Sequence, residues 1–216
     1  INEAESLNDK ISSKEIEKRR DLRNIDTFTI DPDDAKDFDD ALSVEVKRDY
    51  YIIGIHIADV SHFFNVRTKI NEEAEKRATS IYLVDRTIPM LPEKLSNNLC
   101  SLRPDVDRLT YSVIIKFDKE FSIIDSWIGK TIIHSNKRFT YEEAQNSIDN
   151  NDSIFHNELT ILNSIAKKIR GNRFISGSFN FGSDEIKFKL NEKKEPIEVY
   201  KKQRKDTHKM VEEYML

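Results

Sequence analysis

The 216-residue sequence is 38% hydrophobic and 34% charged, with a formal net charge of −4 and a single cysteine. That balance describes a soluble globular chain rather than a disordered tail, and no run approaches the roughly 20 apolar residues a membrane-spanning helix needs. One cysteine, Cys100, excludes an internal disulfide and a cysteine-based zinc cluster, and the net acidity argues against a simple basic nucleic-acid coat. The N-terminus lacks the charged-then-apolar pattern of a signal peptide, so a cytoplasmic location is expected, and the length fits one large domain.

In chain order, Ser12, Ser13, Lys14 and Glu15, followed by Ile16 and a basic run, predict a capped, solvated helix ending near residues 19–23. With the rest of residues 1–20 it is expected to serve as an arm or connector. Residues 27–30 predict a short strand, residues 41–47 alternate as a strand does, and residues 51–58 form a nearly continuous apolar strand. Residues 70–80 have helical spacing, after which Pro89 and Pro92 hold an extended stretch ahead of another short helix. Two long strands are expected over 109–117 and 121–134, with residues 118–120 as their turn. Residues 141–148 and 154–169 predict helices, Gly171, Gly177 and Gly182 mark a loop, and residues 185–190 predict a strand. In the last segment Asp206 or Thr207 would cap a helix in which Met210, Val211 and Tyr214 recur at helical spacing. A chain that starts at Ile1 and stops at Leu216 inside that helix is expected to be a piece of a longer protein. No internal repeat or low-complexity tract is present. The irregular succession of elements predicts an α+β fold, a mixed, mostly antiparallel sheet with surrounding helices.

The chemistry concentrates between the first two strands, where Asp31, Asp33, Asp34, Asp37, Asp39 and Asp40 fall within ten positions. A solvated acidic turn is the ordinary reading of such a run. Against it, the run lies between two strands expected to be buried, Pro32 stiffens its entry, and Ala35, Phe38 and Ala41 punctuate it with residues that favour the interior. Crowded carboxylates in a partly buried loop repel one another unless a proton or cation intervenes. Mg²⁺ takes oxygen ligands and keeps positions open for water and substrate phosphate, and two such ions about 4 Å apart would serve phosphodiester hydrolysis. An EF-hand counted from Asp31 would need glycine and glutamate where Lys36 and Leu42 stand, so that reading fails. The spacing alone leaves nuclease, phosphatase and polymerase chemistry open.

The stretch from Thr29 through Asp31, Pro32, Asp37, Phe38, Asp39 and Asp40 to Ala41 closely resembles the signature of the ribonuclease II/ribonuclease R family in its RNB catalytic domain. Four further blocks are similar: His56 to His62 (HIADVSH), Tyr82 leading into Ile88 and Pro92, Leu95 to Arg103 (LSNNLCSLR), and His208 to Glu213 (HKMVEE). The His56 block looks more like the ribonuclease R branch. The resemblance implies that residues 21–216 are the N-terminal portion of an RNB-type catalytic domain, truncated at its C-terminus and flanked in the parent chain by OB-fold RNA-binding domains. It implies processive, hydrolytic 3′→5′ degradation of single-stranded RNA to nucleoside 5′-monophosphates, with Mg²⁺, or alternatively Mn²⁺, as cofactor. On the family pattern Asp31, Asp37 and Asp40 match metal-binding positions, and Asp39 matches the aspartate most critical to catalysis, itself beside the metal. Tyr82 matches a tyrosine that packs at the RNA 3′ end and Phe181 an aromatic that stacks on the terminal bases. Tyr141, Glu212 and Lys209 are further RNA contacts by the same pattern or by their place beside a basic run.

A transition-state arginine of the family lies beyond Leu216, which puts the activity of the isolated piece in question. Two other readings stand beside the nuclease: a catalytically silent RNA-binding module and a metal-dependent phosphatase. His56, His62 and His134 do not share a zinc-ligand spacing and read as structural, and Cys100, between Leu99 and Leu102, reads as a small buried hydrophobe.

Overall fold

Five of the predicted strand segments carry the frame of the computed structural model, which describes residues 2–179, 186–193, 195–201 and 203–216. Strands β2 (Thr27–Asp31), β3 (Asp40–Val46), β4 (Tyr50–Ala58), β7 (Asp107–Asp118) and β8 (Ile123–His134) lie in one seven-stranded sheet, ordered β1-β8-β7-β4-β3-β2-β9. Two short strands, β1 (Arg20–Asp21) and β9 (Lys137–Thr140), close its edges in parallel pairings, and the four interior pairings are antiparallel. The sheet is therefore mixed and mostly antiparallel, with helices around it.

Strand β4 reads as continuously apolar because both faces of the sheet are covered. On one face Phe28, Ile30, Leu42, Val44, Ile53, Ile55 and Phe117 pack with residues of α4 (Tyr141–Asp149), α5 (His156–Ile175) and α6 (Asp206–Met215). On the other, Ala41, Ala58, Ile114 and Ile133 pack with Ala4, with Ile70 of α3 (Lys69–Arg77), and with Leu95 and Leu99 of a π-helical turn (Leu95–Leu99). Each large aliphatic side chain fully buried this way contributes roughly 1.5–3 kcal/mol. Cys100 is buried in the second cluster, as a small hydrophobe would be.

His56 is fully buried on β4 between Ser43 Oγ, 2.9 Å from Nε2, and Ser112 Oγ, 2.7 Å from Nδ1. Burial pushes its pKa down to about 3, so the ring is neutral and its two nitrogens take opposite donor and acceptor roles. Gly54 makes room for this: a Cβ there would stand 2.3 Å from Ser43 Oγ and 2.5 Å from His56 Nε2.

Several boundaries differ from expectation. Helix α2 (Ser13–Ile16), capped by Ser12 as predicted, stops at Ile16. The chain then brings Arg19 into a buried ion pair with Asp59 at 2.7 Å and Arg20 into β1, so residues near 19–20 are part of the sheet rather than a solvated helix end. Helix α5 runs through Gly171 to Ile175, because Arg170 and Arg173 in its last turns are anchored on Glu213 of α6. Gly177, at φ 101°, is the glycine that does mark the exit. The predicted strand near 185–190 is β10 (Ile186–Leu190), paired with an unpredicted β11 (Pro196–Lys201), while β5 (Ile81–Tyr82) and β6 (Thr87–Ile88) form a small separate hairpin.

Candidate active site

Antiparallel pairing puts the last residue of β2, Asp31, and the first of β3, Asp40, at the same end of the sheet, and residues 32–39 bridge them. The bridge is pinned along its length. At its entry Arg138 of β9 donates through Nη2 to the Pro32 carbonyl (2.5 Å) and the Asp33 carbonyl (2.9 Å). At its middle the Tyr82 hydroxyl donates to Asp37 Oδ2 at 3.0 Å. At its exit the buried Ser101 hydroxyl accepts from the Phe38 N–H and donates to the Lys36 carbonyl, both at 3.1 Å. The Phe38 carbonyl accepts from the Leu102 N–H at 2.8 Å, and the Asp39 carbonyl from the Ala58 N–H at 2.9 Å. Phe38 itself is buried in the second core cluster.

This anchoring turns a run of acids into a strained electrostatic neighbourhood. Burial pushes the Asp31 carboxyl up to about 7 against the opposing pull of the Thr29 hydroxyl and the Arg138 charge, with the charges of Asp40 and Asp39 adding to the effect. Asp39 stands at the solvent-exposed lip, where flanking protein, Asp37 and Asp40 push it up to about 6, and burial raises Asp40 as well. Asp33 and Asp34 face solvent.

The residues fit a hard divalent cation. All the candidate donors are carboxylate oxygens, Asp31 is held far above its ordinary range chiefly by burial, and its Oδ2 is buried without a protein hydrogen-bond partner. Arg138 Nε on the neighbouring β9 is likewise unpartnered. Among the described residues no three His, Cys, Asp or Glu side chains stand close enough to enclose one ion. The aspartates thus share a neighbourhood without forming a closed cage.

Tyr82 joins this group through Asp37. Phe181 lies outside the described residues. Tyr141 opens α4 immediately after Thr140, which is paired with Asp31 across β9 and β2, and its ring stacks on His208 of α6 with centroids 3.9 Å apart. Glu212 and Lys209 lie on α6: Glu212 pairs with Arg204 and, at 3.8 Å, with Arg170, while Lys209 lies 3.6 Å from Asp206. Residue-type reasoning missed Arg138 and Ser101. Ser101 sits inside the LSNNLCSLR block, which was the signal available for it; Arg138 had none, because a four-residue edge strand leaves no readable period.

A family model described as the RNB domain matches residues 19–216. Ribonuclease R 1 of Lactococcus lactis is 36% identical across 100% of the chain and 27% of that relative. DIS3-like exonuclease 2 of Schizosaccharomyces pombe is 40% identical across 95% of the chain and 24% of that relative. Mycoplasma genitalium RNase R, solved in complex with ribose methylated single-stranded RNA, is similar with a TM-score of 0.90 at 29% identity, covering 99% of this chain and 34% of that one. The chain spans about a quarter to a third of the length of these relatives.

Proposed function

Because the chain belongs to the RNB domain family, we propose that it supplies the carboxylate centre of a processive, hydrolytic 3′→5′ exoribonuclease that degrades single-stranded RNA to nucleoside 5′-monophosphates. The observation that carries this reading is the pinned loop that crowds Asp31, Asp39 and Asp40 at one end of the sheet with their carboxyls raised. The likeness to an RNase R solved with single-stranded RNA supports the choice of substrate.

In this reading Asp31, Asp37, Asp39 and Asp40 hold Mg²⁺, with Mn²⁺ as the alternative. A bound divalent cation supplies Lewis acidity at the scissile phosphate and acidifies water there. Asp39, at the exposed lip, is the carboxylate placed to meet substrate and is assigned the catalytic role. Tyr82 is 67% exposed with its hydroxyl held by Asp37, so its ring is free to pack against the 3′-terminal base. Phe181 is proposed as the second stacking aromatic. Stacking suits a sequence-independent nuclease because every base offers a π-face, worth roughly 1–3 kcal/mol each. Tyr141, Glu212 and Lys209 are proposed to line the RNA path from α4 and α6. Residues 21–216 would be the N-terminal portion of the catalytic domain and residues 1–20 its connector to an OB-fold RNA-binding domain, in a cytoplasmic protein; no described helix is long and apolar enough to cross a membrane.

A silent RNA-binding module would have no use for carboxylates crowded at this cost, and a small-phosphate phosphatase none for an exposed Tyr82 beside them. The test uses the full-length protein with 5′-labelled single-stranded RNA, with and without Mg²⁺, alongside Asp39→Asn. A magnesium-dependent descent of the label to a few nucleotides, lost in the variant while RNA binding persists, is expected. Binding without shortening under either condition would favour the silent module.

A further inference from the structure

Arg138 touches both ends of the carboxylate loop. Its strand, β9, runs parallel to β2 with Arg138 opposite Thr29 and Thr140 opposite Asp31, so the side chain starts two residues short of the first carboxylate. From there one nitrogen, Nη2, captures the two carbonyls that follow Asp31, those of Pro32 and Asp33. The Pro32 carbonyl also accepts from the Ala35 N–H at 3.1 Å, which closes the turn at the loop entry. Pro32 fixes its own φ, so holding its carbonyl leaves the chain little freedom as it departs from Asp31. At the far end the guanidinium carbon lies 5.7 Å from the centroid of the Phe38 ring, within the range of a cation–π contact. Phe38 immediately precedes Asp39 and Asp40.

We infer that Arg138 is a positioning residue: a crossbrace that fixes the entry of the loop at Asp31 relative to its exit at Asp39 and Asp40, and so sets the spacing of the carboxylates for a divalent cation. The inference rests on the metal reading proposed above, and it makes a prediction opposite in sign to simple electrostatics. Removing a cation from beside a carboxylate cluster should, by Coulomb attraction alone, tighten binding of a divalent ion. Removing a brace should weaken it, because residues that orient metal ligands typically contribute 10–100-fold in affinity.

The test titrates Mn²⁺ into the full-length protein and follows loss of the free-ion signal by electron paramagnetic resonance, with Arg138→Gln, Arg138→Lys and Asp31→Asn beside wild type and circular dichroism on each. Wild type should bind, Asp31→Asn should bind little, and Arg138→Gln should bind about tenfold or more weakly than wild type. Arg138→Lys keeps the charge but not the planar guanidinium that holds Nη2 on two carbonyls while its carbon lies 5.7 Å from the Phe38 ring centroid, so it should fall with the glutamine variant. If the glutamine variant loses the fold, the lysine variant decides. Equal or tighter binding by Arg138→Gln, or wild-type binding by Arg138→Lys, overturns the brace while leaving the metal reading intact. Absence of Mn²⁺ binding by the wild-type chain overturns the metal reading and the brace together.

Discussion

The Tyr82 hydroxyl donates to Asp37 Oδ2 across 45 positions of sequence, joining the small β5–β6 hairpin to the middle of the carboxylate loop. Two roles are thereby separated on one side chain: the hydroxyl holds a carboxylate, and the exposed ring remains open to a base. Tyr82→Phe should leave the length of the limit product from labelled RNA unchanged, whereas Tyr82→Ala should change it, as read on a denaturing gel. A shift of equal size in both variants would transfer the function from the ring to the contact with Asp37.

The raised carboxyls also predict how the metal-free chain responds to pH. Asp31 is protonated up to about 7 when folded and up to about 3.8 when unfolded, so between those values the folded state binds more protons. Its stabilising effect is fully present below pH 3.8 and is lost as pH rises through 7. At roughly 1.4 kcal/mol per pH unit, the loss for this buried group is on the order of 2–4 kcal/mol. Asp39 acts in the same direction, with its effect screened at the exposed lip. In a chelator, denaturant midpoints should fall from pH 4 to pH 7, and Asp31→Asn should flatten that slope. The same slope in wild type and in Asp31→Asn would show that Asp31 is not held protonated.

The parts of this arrangement that were legible in the sequence are those written locally. Strands β2, β3 and β4 declare themselves by alternation or by a continuous apolar run, and the aspartates lie within one stretch of chain. The contacts that hold that stretch were not legible, because Ser101, Arg138 and Tyr82, the last already a site candidate, come from remote segments and reach it through the fold. Strand β9 is four residues at a sheet edge and has no readable period. Helix α5 outran its expected end because Arg170 and Arg173 have partners on α6, and pairing between helices overrides the local weakness of Gly171.

Ser101 offers the cleanest test of whether loop anchoring matters for folding. Its fully buried hydroxyl is the hydrogen-bond partner of the Phe38 N–H, and Phe38 is core. Ser101→Ala leaves that N–H without its partner, which should cost roughly 1–3 kcal/mol in chemical denaturation. Unchanged stability would mean that the loop reseats on another acceptor.

Neighbouring glutamates on α6 should behave as opposites. Glu213 is 1% exposed and takes Arg170 at 2.7 Å and Arg173 at 2.5 Å, whereas Glu212 is 35% exposed and pairs with Arg204. Burial alone would raise the Glu213 carboxyl, but the bonds from Arg173 and Arg170 outweigh it and hold the group below its ordinary 4.5. Its stabilising effect is therefore present above pH 4.5 and is lost as pH falls through the lower folded value. Breaking a fully buried ion pair costs about 3–5 kcal/mol; with both arginines partly exposed, Glu213→Gln should cost about 2–3 kcal/mol at pH 7 and weaken the acid limb of the stability profile. Glu212→Gln should cost under about 1 kcal/mol, so that any loss of RNA affinity it causes is a contact effect rather than a folding effect. Thermal melts of the two variants side by side decide it: equal destabilisation would remove Glu213 as the tie between α5 and α6 and make any RNA-binding defect of Glu212→Gln inseparable from the fold.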